Sequence, residues 1–276
     1  MNTGRLALLV ASASLPACSE TTTGPEDDAR QVVVEAFLFA GEPVDDIRLS
    51  RTVPLGEDPA LAPTVDDAIV TLVRGSGRWL MRRLEEPGAY GYPHDDLQVR
   101  EGDLFRIEVE AFGRTATGET TVPGPPDGVQ LDKDRLEVPE LAPGSLQPGT
   151  LQSLQVTVSW ENTGSILHFV DVEGLNPEAE SIFPDFIRER VGRFRIRSAP
   201  TEENFHVIGL RQLEHLGRHR AIVYRVNQEY ADLYNNRVQD SRDLNEPPSN
   251  IRGGLGVFSA FNSVAREFDL VRAAGS

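Results

Sequence analysis

The lone cysteine of the chain, Cys18, closes the tetrapeptide Leu15-Pro16-Ala17-Cys18. An apolar residue three positions ahead of a cysteine and a small one directly before it are what lipid modification requires. The thiol is the nucleophile that accepts a diacylglyceryl group. The small residue lets a peptidase reach the bond preceding the modified cysteine. Upstream, Asn2 to Arg5 form a short polar stretch with one positive charge, and a largely apolar stretch runs from Leu6 to Leu15. That is about the length of a secretory core and about half of what a membrane-spanning helix needs. The pattern reads as a bacterial lipobox. Residues 1–17 are then a lipoprotein signal peptide, Cys18 the lipidation site that carries palmitate-type acyl chains, and 18–29 a polar, acidic, flexible tether. A plain secretory signal with a chance cysteine competes with this reading. The coincidence of the sole cysteine with this position weighs against it. No aspartate follows Cys18 directly, which favours sorting to the outer membrane.

Other groups of residues have chemically suggestive types. Tyr90, Tyr92 and His94, followed by Asp95 and Asp96, form a polar and aromatic cluster with the composition of a loop. Aromatics in loops stack on sugars or anchor partners, so these three are the candidate ligand or partner contacts. A surface loop with a structural corner tyrosine is the plainer alternative. His215 and His219 are four residues apart, a spacing that places both on one helix face. The zinc motif built on that spacing needs Glu after the first His, and Leu216 stands there. A solvated turn before a strand at Arg220 is expected instead. Asp132-Lys133-Asp134 lacks the twelve-residue calcium loop with its central glycine. The carboxylate pairs Asp45-Asp46, Asp66-Asp67, Glu85-Glu86 and Glu202-Glu203 are adjacent in sequence, and neighbours on a strand point to opposite faces. No nucleophile elbow is present. No catalytic residue, metal site or cofactor is therefore expected.

Composition narrows the partners. The chain of 276 residues carries 43 acidic and 27 basic side chains, a formal charge of -16. That charge opposes binding to nucleic acid, and it opposes electrostatic adhesion to anionic lipid. Membrane attachment then depends on the lipid at Cys18.

The elements that must position these groups are mostly strands. Residues 30–122 contain short alternating runs, of which Leu104 to Ala111 is the clearest, with Gly113-Arg114 as the two-residue loop that follows. They predict an immunoglobulin-like β-sandwich. Residues 123–150 are rich in Pro and Gly and read as an interdomain linker, with an edge strand conceivable over Gln130 to Val138. Residues 151–276 predict a second β-rich domain with one amphipathic helix near 227–241. Tyr230, Leu233, Tyr234 and Val238 form its apolar stripe, and Asn227 is its N-cap. Ile251 to Phe261 and Glu267 to Val271 read as two closing strands.

The segment Ser249-Asn250-Ile251-Arg252-Gly253-Gly254-Leu255-Gly256-Val257-Phe258-Ser259-Ala260 resembles the C-terminal signature of the DUF4249 family, lipoproteins of the Bacteroidota and relatives with no known function. Val33-Val34-Glu35 followed by Leu49-Ser50-Arg51-Thr52 is similar to the family's opening strands. Thr115-Ala116-Thr117 with Val122-Pro123 is similar to its mid-chain hairpin. The resemblance implies a cell-envelope lipoprotein associated with a TonB-dependent outer-membrane receptor. It supplies no catalytic residue. From the residues alone, Asn250, Gly253, Gly254, Gly256 and Phe258 are a structural signature, in which the glycines permit positive φ or close backbone approach. A phosphate cradle is the sharper alternative, and it needs a helix after the glycines. The expected function is a non-enzymatic binding or accessory component of TonB-dependent uptake. An envelope hydrolase, with carboxylates about 5–10 Å apart or converging metal ligands, and a structural or adhesive module remain alternatives.

Overall fold

A computed structural model describes residues 31–53, 62–140, 154–176, 178–182, 198–213, 215–227, 229–231 and 249–274. Cys18, the signal peptide and the tether lie outside the described residues, as do Leu233, Tyr234 and Val238.

The described chain is mainly β. In chain order its strands are β1 (Val32–Phe39), β2 (Asp46–Arg51), β3 (Ile69–Arg74), β4 (Gly77–Leu80), β5 (Arg82–Arg83), β6 (Ala89–Gly91), β7 (Leu104–Ala111) and β8 (Arg114–Thr121). The second half adds β9 (Asp127–Leu131), β10 (Arg135–Val138), β11 (Gln155–Glu161), β12 (His168–Gly174), β13 (Phe205–Gly209), β14 (Gly217–Val226), β15 (Ile251–Arg252) and β16 (Leu255–Arg272). The alternation read from the sequence over Leu104 to Ala111 recurs in β7, and β1 and β11 likewise bury every second residue.

Three sheets form. The largest runs β12-β14-β16-β1-β2-β6-β5, with β10 also paired to β16. A five-stranded sheet runs β15-β8-β7-β3-β4, and a three-stranded one runs β13-β11-β9. The five-stranded sheet packs on β1, β2 and β6 through Val34, Leu38, Ile47, Phe105 and Ile107, a sandwich-like core. A second core, with Val156, Val158, Trp160 and Val223, lies between the three-stranded sheet and the far end of the large one.

The halves of the chain are not separate in this arrangement. β1 pairs in parallel with β16, Val34 against Gly256 and Phe39 against Phe261. Ile251, Phe258 and Ala260 complete the first core, whereas Phe268 and Leu270 of the same strand enter the second. From Leu255 on, the two expected closing strands are thus one strand of 18 residues, while Ile251 and Arg252 form the separate β15. The division at 123–150 needs the same correction, because that segment holds β9 and β10. Pro123, Pro125, Pro126 and Pro139 flank these strands without interrupting them, so the missing amide donors do not break either ladder. The hairpin loop after β7 also shifts by one residue. Phe112 and Gly113 both have positive φ, the geometry of a tight turn matched to strand twist.

The expected helix is described only at 229–231, where Ala231 N donates to Asn227 O. The Asn227 side-chain amide donates to Thr120 Oγ1 and Thr121 O, so it ties this end of β14 to β8. Tyr230 packs edge-on against Phe261 at 5.0 Å and Phe37 at 5.6 Å. Phe169 stacks on Tyr224 at 4.6 Å in the same aromatic cluster.

The glycine signature is the junction between two sheets. β15 pairs with β8, the chain turns at Gly253-Gly254, and β16 then enters the large sheet beside β1. At Gly256, φ is +111° and a Cβ would lie 2.0 Å from Val34 O. At Gly253, φ is +78° and a Cβ would lie 2.5 Å from Thr115 O. A Cβ at Gly254 would lie 2.8 Å from Val32 O. Asn250 completes the junction. Its side chain accepts from Phe258 N at 2.8 Å and donates to Phe258 O at 2.7 Å, as a strand residue would. A strand, not a helix, follows these glycines, so the cradle geometry for phosphate is not formed.

Gly256→Ala is expected to destabilise the fold by about 3–5 kcal/mol, from left-handed strain plus backbone overlap. Asn250→Ala should cost about 1–3 kcal/mol through unpaired buried backbone groups. Urea denaturation of both variants checks the order of the two effects.

Candidate functional site

The candidate cluster splits between core and surface. Tyr90 lies in β6 and is only 2% exposed. Its hydroxyl donates to Val65 O at 3.0 Å and accepts from Ala68 N at 3.1 Å. Beside it, Asp66 accepts from Gly88 N and Arg83 Nε, both at 2.8 Å, which holds its carboxyl below the ordinary range. Tyr90 is therefore a corner tyrosine that fastens residues 65–68 to the sandwich. It leaves the set of ligand contacts, because both faces of its hydroxyl are used by the backbone.

Tyr92 and His94 do line a surface cavity, of about 610 Å³. One wall is the turn Gly41–Pro43. The other is the segment from Tyr92 to Arg100, with the buried Leu97 and Val99 supplying its apolar part. Two backbone hydrogen bonds join the walls, Gly41 N to Val99 O at 2.9 Å and Tyr92 N to Val44 O at 2.7 Å.

The longer wall is fixed from behind by two side chains. Asp96 accepts from the Tyr92 hydroxyl at 2.9 Å and from Trp79 Nε1 at 3.2 Å. The Tyr92 hydrogen bond first, then that from Trp79, lowers the Asp96 carboxyl from its ordinary value. Loss of solvent, followed by the same carboxylate, raises the Tyr92 hydroxyl. Arg74 donates to both Gln98 O and Asp103 Oδ2. Its guanidinium lies over Trp79 at 5.2 Å and over Phe105 at 5.3 Å, so cation–π attraction adds to the hydrogen bonds. Asp103 also accepts from Arg100 N at 3.1 Å. Sequence reading missed Arg74, Trp79 and Asp103, which reach this wall from β3, β4 and the turn before β7.

Inside the cavity the polar groups differ in kind from Asp96. The side chains of Glu42, His94 and Asp95 make no hydrogen bond among the described residues. His94 meets Tyr92 edge-on at 5.2 Å. Loss of solvent raises the Glu42 carboxyl above its ordinary value, with added repulsion from Asp45 and then Glu173. Glu42 remains exposed, so the effect is partial. The arrangement is a pre-shaped recess with free donors and acceptors. No hydrogen bond joins Glu42, His94 and Asp95 to one another.

The other expected chemistry resolves into structure. His219 belongs to β14, which starts at Gly217, so the solvated turn expected there needs correction. Its ring is 1% exposed and stacks on Phe268 at 5.6 Å. His215 forms a bridge with Ser181. The segment between them is a bend and the start of β14, not a helix turn, and no group of three metal-type side chains converges among the described residues. Asp132 accepts from Thr157 N at 2.7 Å and so serves the β9–β11 pairing.

The family model for a domain of unknown function, DUF4249, matches residues 19–267. The chain belongs to the DUF4249 family. No curated protein matches it. The DUF4249 match spans every residue of the sheet junction and of the cavity. Among the described residues of this DUF4249 chain, no helix is long and apolar enough to cross a membrane.

Two predictions follow from these contacts. Arg74→Ala should destabilise the fold by about 1–2 kcal/mol and speed amide exchange across Leu97 to Arg100, since it removes the clamp behind them. Burial also lowers the imidazole pKa of His168, His206 and His219. Unfolded rings protonate near pH 6.5, and the folded ones only at lower pH. Stability is then full above about pH 6.5 and falls as acid carries the pH through the depressed native values. Thermal melts of His219→Leu against pH should show a flatter acid limb than the parent chain.

Proposed function

We propose that the protein is a non-enzymatic lipoprotein of the outer membrane, anchored through acyl chains on Cys18, that serves as a binding or accessory component of a TonB-dependent uptake system. The observation that carries the anchor is the Leu15-Pro16-Ala17-Cys18 lipobox, placed ahead of a polar tether and a β-rich fold. Two or more acyl chains hold a protein stably, where one is marginal. The net charge of -16 leaves no electrostatic substitute for them on an anionic membrane. Support for a binding role comes from the recess between Gly41–Pro43 and Tyr92–Arg100. Its framework is fixed by Asp96 and Arg74, while Glu42, His94 and Asp95 stay available to a ligand. Fixed walls reduce the ordering cost of binding. The association with a TonB-dependent receptor rests on the family resemblance.

Cys18→Ala should abolish incorporation of labelled palmitate and release the protein from the membrane fraction. Retention in the membrane would overturn the anchor. Affinity capture of the full-length protein from detergent-solubilised envelopes should recover a TonB-dependent receptor, identified by mass spectrometry. Recovery of none would overturn the accessory role.

A further inference from the structure

We infer that the cavity between the Gly41–Pro43 turn and the Tyr92–Arg100 segment binds a neutral saccharide. This inference rests on the reading of the protein as a binding component and names the ligand class of that site.

A sugar ring combines apolar C–H faces with a rim of hydroxyls, each both donor and acceptor. The cavity offers the complement of both parts. Leu97 and Val99 supply apolar surface, and Tyr92 with His94 supplies an aromatic wall. Glu42 and Asp95 are acceptors, and Arg100 is a donor. The Gln98 side-chain oxygen Oε1 accepts from the Arg100 guanidinium, which orients the side-chain NH₂ as a further donor. Glu42, His94 and Asp95 have no side-chain hydrogen bond within the described fold, although Asp96 beside them is fully used. The volume of about 610 Å³ falls within the range of about 300–1,000 Å³ typical of small-molecule clefts.

Charge separates this ligand class from others. A phosphate would meet one guanidinium and two carboxylates. An organic cation would be drawn by the carboxylates but would meet Arg100 and, lacking acceptors, would leave the donors of Arg100 and Gln98 unmatched. A ligand without net charge satisfies donors and acceptors of both signs and desolvates no ion of its own. The tied walls matter here as well. Sugar hydroxyls give up hydration on binding, so recognition depends on partners already in place.

The test is calorimetric titration of the full chain, purified from membranes in detergent, with neutral probes: the maltose, cellobiose, xylobiose and mannobiose series and their longer oligomers. Inorganic phosphate and tetramethylammonium are the charged probes. The expected result is binding of at least one neutral series and of neither charged probe. His94→Ala and Arg100→Ala, both at exposed positions, should each weaken that binding about tenfold while leaving the melting temperature unchanged. Phe205→Ala, on the remote three-stranded sheet, should leave it intact. Absence of binding by every neutral series overturns the inference. So does binding unaffected by both cavity variants, or binding of a charged probe alone. Receptor capture without saccharide binding would refute the ligand class and leave the accessory role standing. Saccharide binding without receptor capture would do the reverse.

Discussion

At the crossing of β1 and β16, the backbone of Gly256 sits so near Val34 O that a Cβ would lie 2.0 Å from it. This approach lets a C-terminal strand enter the sheet in parallel with an N-terminal one. Everything else in the fold is arranged around that entry. Phe258 and Ala260 reach the first core only because the chain has already turned at Gly253-Gly254. Farther along the same strand, Phe268 and Leu270 build the second core, and Phe261 joins the aromatic cluster on the opposite face. One strand thus supplies apolar side chains to three clusters. Glycines and an asparagine at its start are used for geometry, where a chemical reading would have looked for a ligand.

The recess shows a similar division of labour between neighbours in sequence. Asp95 and Asp96 are chemically identical, yet Asp96 is held by Tyr92 and Trp79 while Asp95 faces the cavity. Tyr90 and Tyr92 separate in the same way. The first has its hydroxyl shared between Val65 and Ala68, and the second carries its ring to the surface wall. Arg74 unites framework and site, since it grips Gln98 O with a guanidinium already packed over Phe105 of the first core. The wall is thereby tied to the sandwich behind it.

Local signals were readable in the sequence, and distant ones were not. Alternation identifies β7 and β11, because each buries one face against a core. The Tyr90–Asp96 cluster stands out by composition. No local pattern announces that Val34 meets Gly256, since parallel pairing across more than two hundred residues leaves no periodic trace in either segment. The break imagined between Phe261 and Glu267 has a physical source. Ala265, Arg266 and Glu267 are exposed where β16 passes from one core to the other, and an exposed polar stretch looks like a loop. The linker reading of 123–150 failed for a related reason. Prolines that frame a strand carry the same residue types as prolines that forbid one. The clamp of Arg74, Trp79 and Asp103 had no motif to find, because each member comes from a different strand or turn.

β16 also governs the order in which the protein can be completed. A chain made from its N-terminus produces β1, β2 and β3 early, but the wall of the first core that holds Ile251, Phe258 and Ala260 comes more than two hundred residues after β1. Until then one edge of β1 has no partner, and the apolar faces that await Phe258 stay uncovered. Such long-range closure raises contact order and delays the rewarding contacts to the end of folding. The N-terminal sandwich therefore stays unsealed on this edge until β16, more than two hundred residues after β1, has been made.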